Sequence, residues 1–251
     1  MIWLRSINSM KEILNYFKLH IIEMKKRHLI DLHIHSNFSD GKLGITEIVD
    51  LYGKKGFSAI AITDHLADSQ TLTGLVTRKL SLSLSNSNMP EYLQTLHSEA
   101  IRAKKMYNML VIPGVEITLN SWSKQHGAHL VFLNVDQYIN PNKSIENLLL
   151  DNKKYFSIAA HPLWEESYEF KTTYLWDQRE NLKNLFDAWE CATAQKFSQE
   201  IYDSGLAYVC SSDFHSPARF ESWKMQTYLE DINLENLYEQ IRSKQVEPIW
   251  V

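Results

Sequence analysis

Nine side chains of the kinds that ligate metal ions are spread along the sequence, each beside a turn or a helix start. They fall in Asp31-Leu-His33-Ile-His35-Ser with Asp40-Gly41 following, Thr63-Asp64-His65, Gly114-Val-Glu116, Ala128-His129, Ala160-His161-Pro162 and Ser212-Asp213-Phe-His215. One ion takes about four ligands, so the set is large enough for two or three metals held side by side. It contains imidazoles and carboxylates but no thiol, which suits Zn²⁺, Mn²⁺ or Fe²⁺ better than a softer metal. His33 and His35 are two residues apart on an expected strand, where side chains alternate faces, so the spacing makes a chelating pair. A lone histidine is often a core residue satisfied by one hydrogen bond. Six at strand ends with acidic partners make a constellation instead. His20, His28, His97 and His126 stand outside it and read as ordinary surface or core residues.

The elements that must position this set can be read from the apolar runs. Seven strand-like segments fall at about 29–35, 57–63, 110–117, 128–135, 155–160, 186–192 and 206–212, short and rich in Val, Ile, Leu, Phe or Ala as buried strands are. Helical patterns lie between them: Thr46 to Lys55 stopping at Gly56, Pro90 to Tyr107, Ser144 to Lys153, Lys196 to Ser204 stopping at Gly205, and a last one capped by Asn233 and running through Ser243. Alternation of this kind predicts parallel β/α architecture. All the strands but 186–192 end in or lead into a member of the polar set, as at the C-terminal face of a barrel. No G-x-G-x-x-G or G-x-x-x-x-G-K-[ST] follows a strand, which argues against an open nucleotide-binding sheet.

With 251 residues, 44% hydrophobic and 22% charged, the chain has the make-up of a soluble globular protein able to bury a core. A net charge of −4 argues against a general nucleic-acid or anionic-membrane surface. No apolar run is long enough to span a bilayer, and no secretory signal is evident. Cys191 and Cys210 look unclustered and fit a reducing, cytoplasmic compartment. Residues 1–27 read as a helical extension, with a helix over 8–26. Either Met24 is the natural start or this helix docks on the barrel. Residues 28–251 read as one domain, in which 66–107 form a loop and helix insertion at the barrel mouth. Within it the serine-rich run Leu80 to Met89 is expected to be a solvated loop or a lid. Pro248 to Val251 is a terminal strand-like piece that would close the barrel bottom or meet another subunit; the sequence does not set the oligomeric state.

In order and spacing the motifs closely resemble the PHP family, named for polymerase and histidinol phosphatase. The resemblance runs from about residue 29 to 216 and fills all nine expected ligand positions. Amidohydrolase barrels also open with H-x-H but usually run longer and lack the terminal Asp-x-His pair. The resemblance implies a distorted seven-stranded (β/α) TIM-like barrel with a trinuclear site. His33, His35, Glu116 and Asp213 would hold one metal, and Glu116 would bridge to a second completed by His129 and His161. Asp40, His65 and His215 would hold a third. Many relatives carry histidine where this chain has Asp40; aspartate keeps a ligand and makes the site more anionic.

The chemistry expected of such a site is metal-dependent hydrolysis of a phosphate ester. Closely spaced divalent ions acidify a shared water and polarise phosphoryl oxygens, so a bridging hydroxide would attack phosphorus in line. Asp64 precedes a ligand and reads as an orienting residue, and the general acid is unassigned. Arg219 and Lys124 are the candidate substrate-binding cations, with His126 and Arg179 behind them, and Trp122, Trp164 and Trp176 could stack on a ring. A phosphomonoesterase of a small phosphorylated metabolite or nucleotide is the leading expectation. A phosphodiesterase or 5′-end-directed exonuclease on a short oligonucleotide is the alternative. A non-catalytic metal-stabilised module and an amidohydrolase-like activity stand behind these.

Overall fold

The computed structural model of the protein describes residues 25–68, 82–119, 127–163 and 173–251. The expected 8–26 helix lies almost wholly outside them, as do Trp122, Lys124, His126 and Trp164. The strands are β1 (Lys26–Asp31), β2 (Phe57–Ile62), β3 (His65–Ala67), β4 (Leu110–Leu119), β5 (Ala128–Leu133), β6 (Phe156–Ala160), β7 (Ala188–Thr193), β8 (Lys196–Phe197), β9 (Tyr208–Ser211), β10 (Trp223–Leu229) and β11 (Glu247–Trp250). The helices are α1 (Ile45–Lys54), α2 (Met89–Tyr107), α3 (Ile145–Asp151), α4 (Tyr174–Asp177), α5 (Arg179–Leu182), α6 (Gln199–Tyr202) and α7 (Leu234–Arg242).

All the expected strands form, but they belong to one curled, mixed, 11-stranded sheet rather than to a seven-stranded parallel ring. The order is β11-β10-β1-β2-β4-β5-β6-β7-β8, with β3 also on β4 and β9 also on β7. β1, β2 and β4 run parallel, as do β6, β7 and β9. β5 runs against both β4 and β6. β5 opposes β4 because the link from Leu119 to Ala128 is short, and a parallel return needs a crossover of about a dozen residues or more. β10 and β11 extend the far side antiparallel to β1. Across the curl, Ile34 bridges Phe214, with the amide of His35 donating to Phe214 O at 2.8 Å and that of Phe214 to His33 O at 3.2 Å.

The core follows from the pattern of the elements. β6, β7 and β9 are buried at every residue, consistent with apolar runs covered on both faces. α1 buries Ile45, Ile48, Val49 and Tyr52, one stripe of an amphipathic helix, and the chain leaves it at Gly56 with φ +79°, a left-handed turn that glycine enters freely. α2 lies along α1 and β4, with the Tyr92 hydroxyl donating to Ile62 O and Gly114 O at 2.9 Å each. Ser144 caps α3 and Asn233 caps α7, the latter through a reciprocal pair with Asn236.

Three local expectations are corrected. The helix expected over Lys196 to Ser204 is a tight hairpin followed by one short turn of helix, because Ala194 takes φ 51° and Phe197 pairs back with Ala192. The serine-rich run is anchored at residues 83 and 84, while Asn86 and Ser87 are exposed: Ser83 and Leu84 are buried, the Ser83 hydroxyl accepts from Ala67 N, and Leu84 N donates to His65 O at 2.7 Å. The two cysteines, far apart in sequence, are neighbours on β7 and β9, with buried free thiols 3.2 Å apart. Among the described residues no helix is long and apolar enough to cross a membrane.

Candidate metal centre

The sheet brings the expected ligand residues to one rim. Glu116 lies inside β4 opposite His65 of β3, and Thr118, on the same face, lies opposite His129. His129 in turn pairs with Ala160, so His161 comes next along β6. His129 stands at the start of its strand, not at an end; β5 runs backwards, and its start therefore meets the ends of β4 and β6. His33 and His35 follow β1 in an extended segment, and Asp213 and His215 follow β9 across the Ile34–Phe214 bridge.

Glu116 is fully buried at the middle of the cluster. Its Oε1 is 2.8 Å from His129 Nδ1, 3.1 Å from His161 Nε2 and 3.5 Å from His33 Nε2. Its Oε2 is 2.7 Å from His65 Nδ1 and 3.5 Å from His35 Nε2. Asp213 Oδ1 lies 3.2 Å from His35 Nε2 and 3.5 Å from His33 Nε2. Asp40 is the outermost member, its side chain 35% exposed, with Oδ2 3.3 Å from His215 Nε2 and Oδ1 3.6 Å from His65 Nε2. The cluster is thus closed at His33, His35 and Glu116 and open towards Asp40.

Three groups converge closely enough to hold an ion: His35, Asp40, His65 and His215; His33, Glu116 and His161; and His33, His35 and Asp213. All the expected ligands but His129 fall in one of them, and His129 touches Glu116. The grouping differs from the expected partition: His33 rather than His129 joins Glu116 and His161, Glu116 is not in the His33, His35 and Asp213 group, and His35 also joins the Asp40 set, its ring 4.3 Å from that of His65 and 4.2 Å from that of His215.

The electrostatics identify what the cluster lacks. Burial would raise Glu116 and Asp213, but the surrounding imidazoles outweigh it and hold both carboxyls well below the usual range. Burial would lower His33, yet Glu190, Glu116 and Asp213 lift it well above the ordinary value. His65 and His161 are likewise raised against their burial, and His215 is pushed up to about 9 by Asp40 and Asp213. Burial drives His129 down, and burial with the facing His215 and His65 drives His35 down to about 3. His33 Nε2, both ring nitrogens of His35 and Glu116 Oε2 are buried without a hydrogen bond of acceptable geometry, although His65 Nδ1 is close to the last. Each such atom costs about 1–3 kcal/mol. Imidazoles and carboxylates that converge in a buried space with these atoms left unpaired are what divalent cations would satisfy, so the donor set fits metal ions.

The other sequence candidates divide. Asp64 is buried and does not face the cluster: its carboxylate accepts from Ser36 N at 2.8 Å, Ser36 Oγ at 2.6 Å and Ser39 Oγ at 2.5 Å. It thereby fixes the turn that carries Asp40. The following Gly41 is needed there, because a methyl group would collide with the backbone of His35 and Ser36. Arg219 is exposed on the turn Pro217–Arg219 just beyond His215. Trp176 is buried in the fold, its indole N–H donating to Glu200 at 2.8 Å, and Arg179 stacks on it. Those two therefore pack on each other. His28 is buried against Leu229 O and His97 is exposed on α2.

The described residues that touch the expected ligands without having been singled out from the sequence include Thr118, whose Oγ1 is 2.8 Å from His65 Nδ1, and Glu190. Glu190 of β7 is 2% exposed and contacts both His33 and His161. A single acidic residue inside an apolar strand was the available signal, since such a charge must find a partner.

Comparisons agree with this architecture. Over 89 residues the chain is 32% identical to the DNA polymerase/3′-5′ exonuclease PolX of Bacillus subtilis, a match covering 36% of this chain and 14% of that protein. Among solved structures it resembles a two-domain protein from Bacteroides vulgatus containing a predicted PHP-like metal-dependent phosphoesterase. That likeness has a TM-score of 0.67 at 19% identity and covers 91% of this chain and 66% of that one. An amidohydrolase from Chromobacterium violaceum, with bound sulfate and no metal, gives a TM-score of 0.50 at 15% identity over 87% of this chain and 97% of its own. The chain spans only part of the first two proteins, and the structural likenesses speak for the fold. The PHP domain profile matches residues 31–212, more than half of the chain, and the chain belongs to that family.

Proposed function

We propose that the protein is a metal-dependent phosphomonoesterase acting on a small phosphorylated metabolite or nucleotide. The observation that carries this reading is Glu116, one buried carboxylate in contact with five histidines, between groups that could each hold an ion. Bound divalent ions would supply Lewis-acid charge and an acidified water as nucleophile. The charge balance favours an anionic substrate: three such ions bring roughly +6 against −3 from Asp40, Glu116 and Asp213, leaving about +3. Zn²⁺, Mn²⁺ and Fe²⁺ all suit the donors.

The chain's own residues divide the work. His33, His35 and Glu116 form the dry floor, and Asp213 and His161 flank it. Asp40, His65 and His215 line the side open to solvent, where a phosphate group would enter. Asp64 keeps the Asp40 turn in place through Ser36 and Ser39. Arg219, beyond His215, is the described cation proposed to meet the substrate's anionic end.

The test is metal analysis of the purified protein followed by a phosphate-release screen with Mn²⁺ and Zn²⁺ added back. The panel should hold nucleotides, sugar phosphates, histidinol phosphate, a 5′-phosphorylated oligonucleotide, a lactone and an amide. More than one metal equivalent and phosphate release lost on chelation are expected. Oligonucleotide cleavage alone would make the enzyme a phosphodiesterase or exonuclease, turnover of the lactone or amide alone would make it an amidohydrolase, and no turnover at all would leave a metal-stabilised module.

A further inference from the structure

We infer that Glu190, outside the ligand set, is a positioning residue that aligns ligands from two different strands. It fixes which ring nitrogen of His33 faces the cluster, and it holds the backbone of His161. This inference rests on the metal-centre reading above. The geometry is specific. Glu190 Oε1 lies 3.1 Å from His33 Nδ1. A carboxylate only accepts, so Nδ1 carries the hydrogen, and in a neutral ring the lone pair is left on Nε2. That Nε2 is the atom 3.5 Å from both Glu116 Oε1 and Asp213 Oδ1.

The second oxygen acts on His161. Glu190 Oε2 accepts from the His161 amide at 2.7 Å and from the Thr193 hydroxyl at 3.0 Å. His161 has φ 27°, a left-handed backbone that a histidine before proline adopts only under constraint. The parallel ladder between β6 and β7 ends at Ala159 opposite Trp189. One step further, the Glu190 side chain takes the amide that a β7 carbonyl would otherwise bind. The turn it holds sends His161 Nε2 to within 3.1 Å of Glu116 Oε1. Removing the carboxylate would strand a buried amide and free the His33 ring to rotate. Partners of this kind typically tune metal affinity by about 10–100-fold.

The experiment compares the full chain with its Glu190→Gln and Glu190→Ala variants. In the metal-stripped wild type, ¹H–¹⁵N spectra of the imidazoles should show a hydrogen-bonded, slowly exchanging Nδ1–H on His33, and Glu190→Ala should lose it. Zinc titration against a competing chelator should then give affinities about 10–100-fold weaker in Glu190→Ala, with Glu190→Gln between the two. A merely structural glutamate would lower the melting temperature equally with and without metal and leave the affinity unchanged; that result overturns the inference. So does a wild-type His33 without an Nδ1–H signal, a test that stands even if Glu190→Ala does not fold. A wild type that binds no metal defeats the reading of the site, and the His33 signal still decides on Glu190.

Discussion

Two kinds of buried carboxylate occur in this molecule. Asp31 and Asp64 are each held by hydroxyl and amide donors, with Lys224 also acting on the Asp31 charge. Asp31 takes the Tyr52 hydroxyl at 2.8 Å and the Ser212 amide at 3.0 Å, and Asp64 takes two serine hydroxyls and an amide. Burial raises both. Glu116 is just as inaccessible and Asp213 nearly so, but they face imidazoles, and both are held well below the usual range. All four belong to the motif segments. What separates scaffold from candidate ligand is the partner: hydroxyls and amides finish the hydrogen bonding of the first pair, whereas the second pair is surrounded by ring nitrogens, several of them still unsatisfied.

The contrast can be broken most forcefully at Glu116. Glu116→Gln should reduce activity by more than the about 100-fold typical of outer partners, and metal content should drop by at least one equivalent. Full metal loading of this variant, measured by elemental analysis, would place Glu116 with the scaffold acids. Gly41→Ala should act next, by displacing the Asp40 turn. One metal equivalent should be lost while the ions held around His33 and Glu116 stay, and uniform loss of all metals would show that the groups are not separable. Tyr52→Phe, on the scaffold side, should cost about 1–3 kcal/mol of stability in denaturant unfolding and leave metal stoichiometry untouched. A changed stoichiometry would erase the distinction.

The smallest effect concerns protons. His33, His65, His161 and His215 have raised values in the metal-free protein. At His215, with a value of about 9, a proton is held at neutral pH and must leave before the ring can ligate; the upward shift at the other three favours the same proton. Metal binding should therefore release protons and tighten as pH climbs from about 6.5 towards the value of about 9 at His215. Calorimetry in buffers of different ionisation enthalpy measures that release. Binding without proton release would mean that the carboxylates do not protonate the rings.

Much of this was legible beforehand because the chemistry is local. His33-x-His35, Asp213-x-His215 and the Asp40-Gly41 turn state their spacing outright, and apolar runs with clear stops set the strands and most helices. Strand direction was harder: apolar composition reads the same in either sense, and only the short link before β5 held the information. β10 was overlooked because Trp223–Leu229 mixes Lys224, Gln226 and Thr227 with apolar residues. The burial of Lys224 depends on acceptors such as Phe220 O and Ser222 Oγ that no spacing rule supplies. Glu190 escaped notice for the opposite reason, since it lies in the one expected strand that ended in no ligand.

The bridge between Ile34 and Phe214 joins residues from the beginning and the end of the ligand series. A nascent chain emerges in sequence order, so His33 and His35 appear long before the backbone that will clasp them. Metal capture by the proposed centre would therefore wait until Phe214 has left the ribosome, and the centre would be completed late in folding rather than serve as its nucleus.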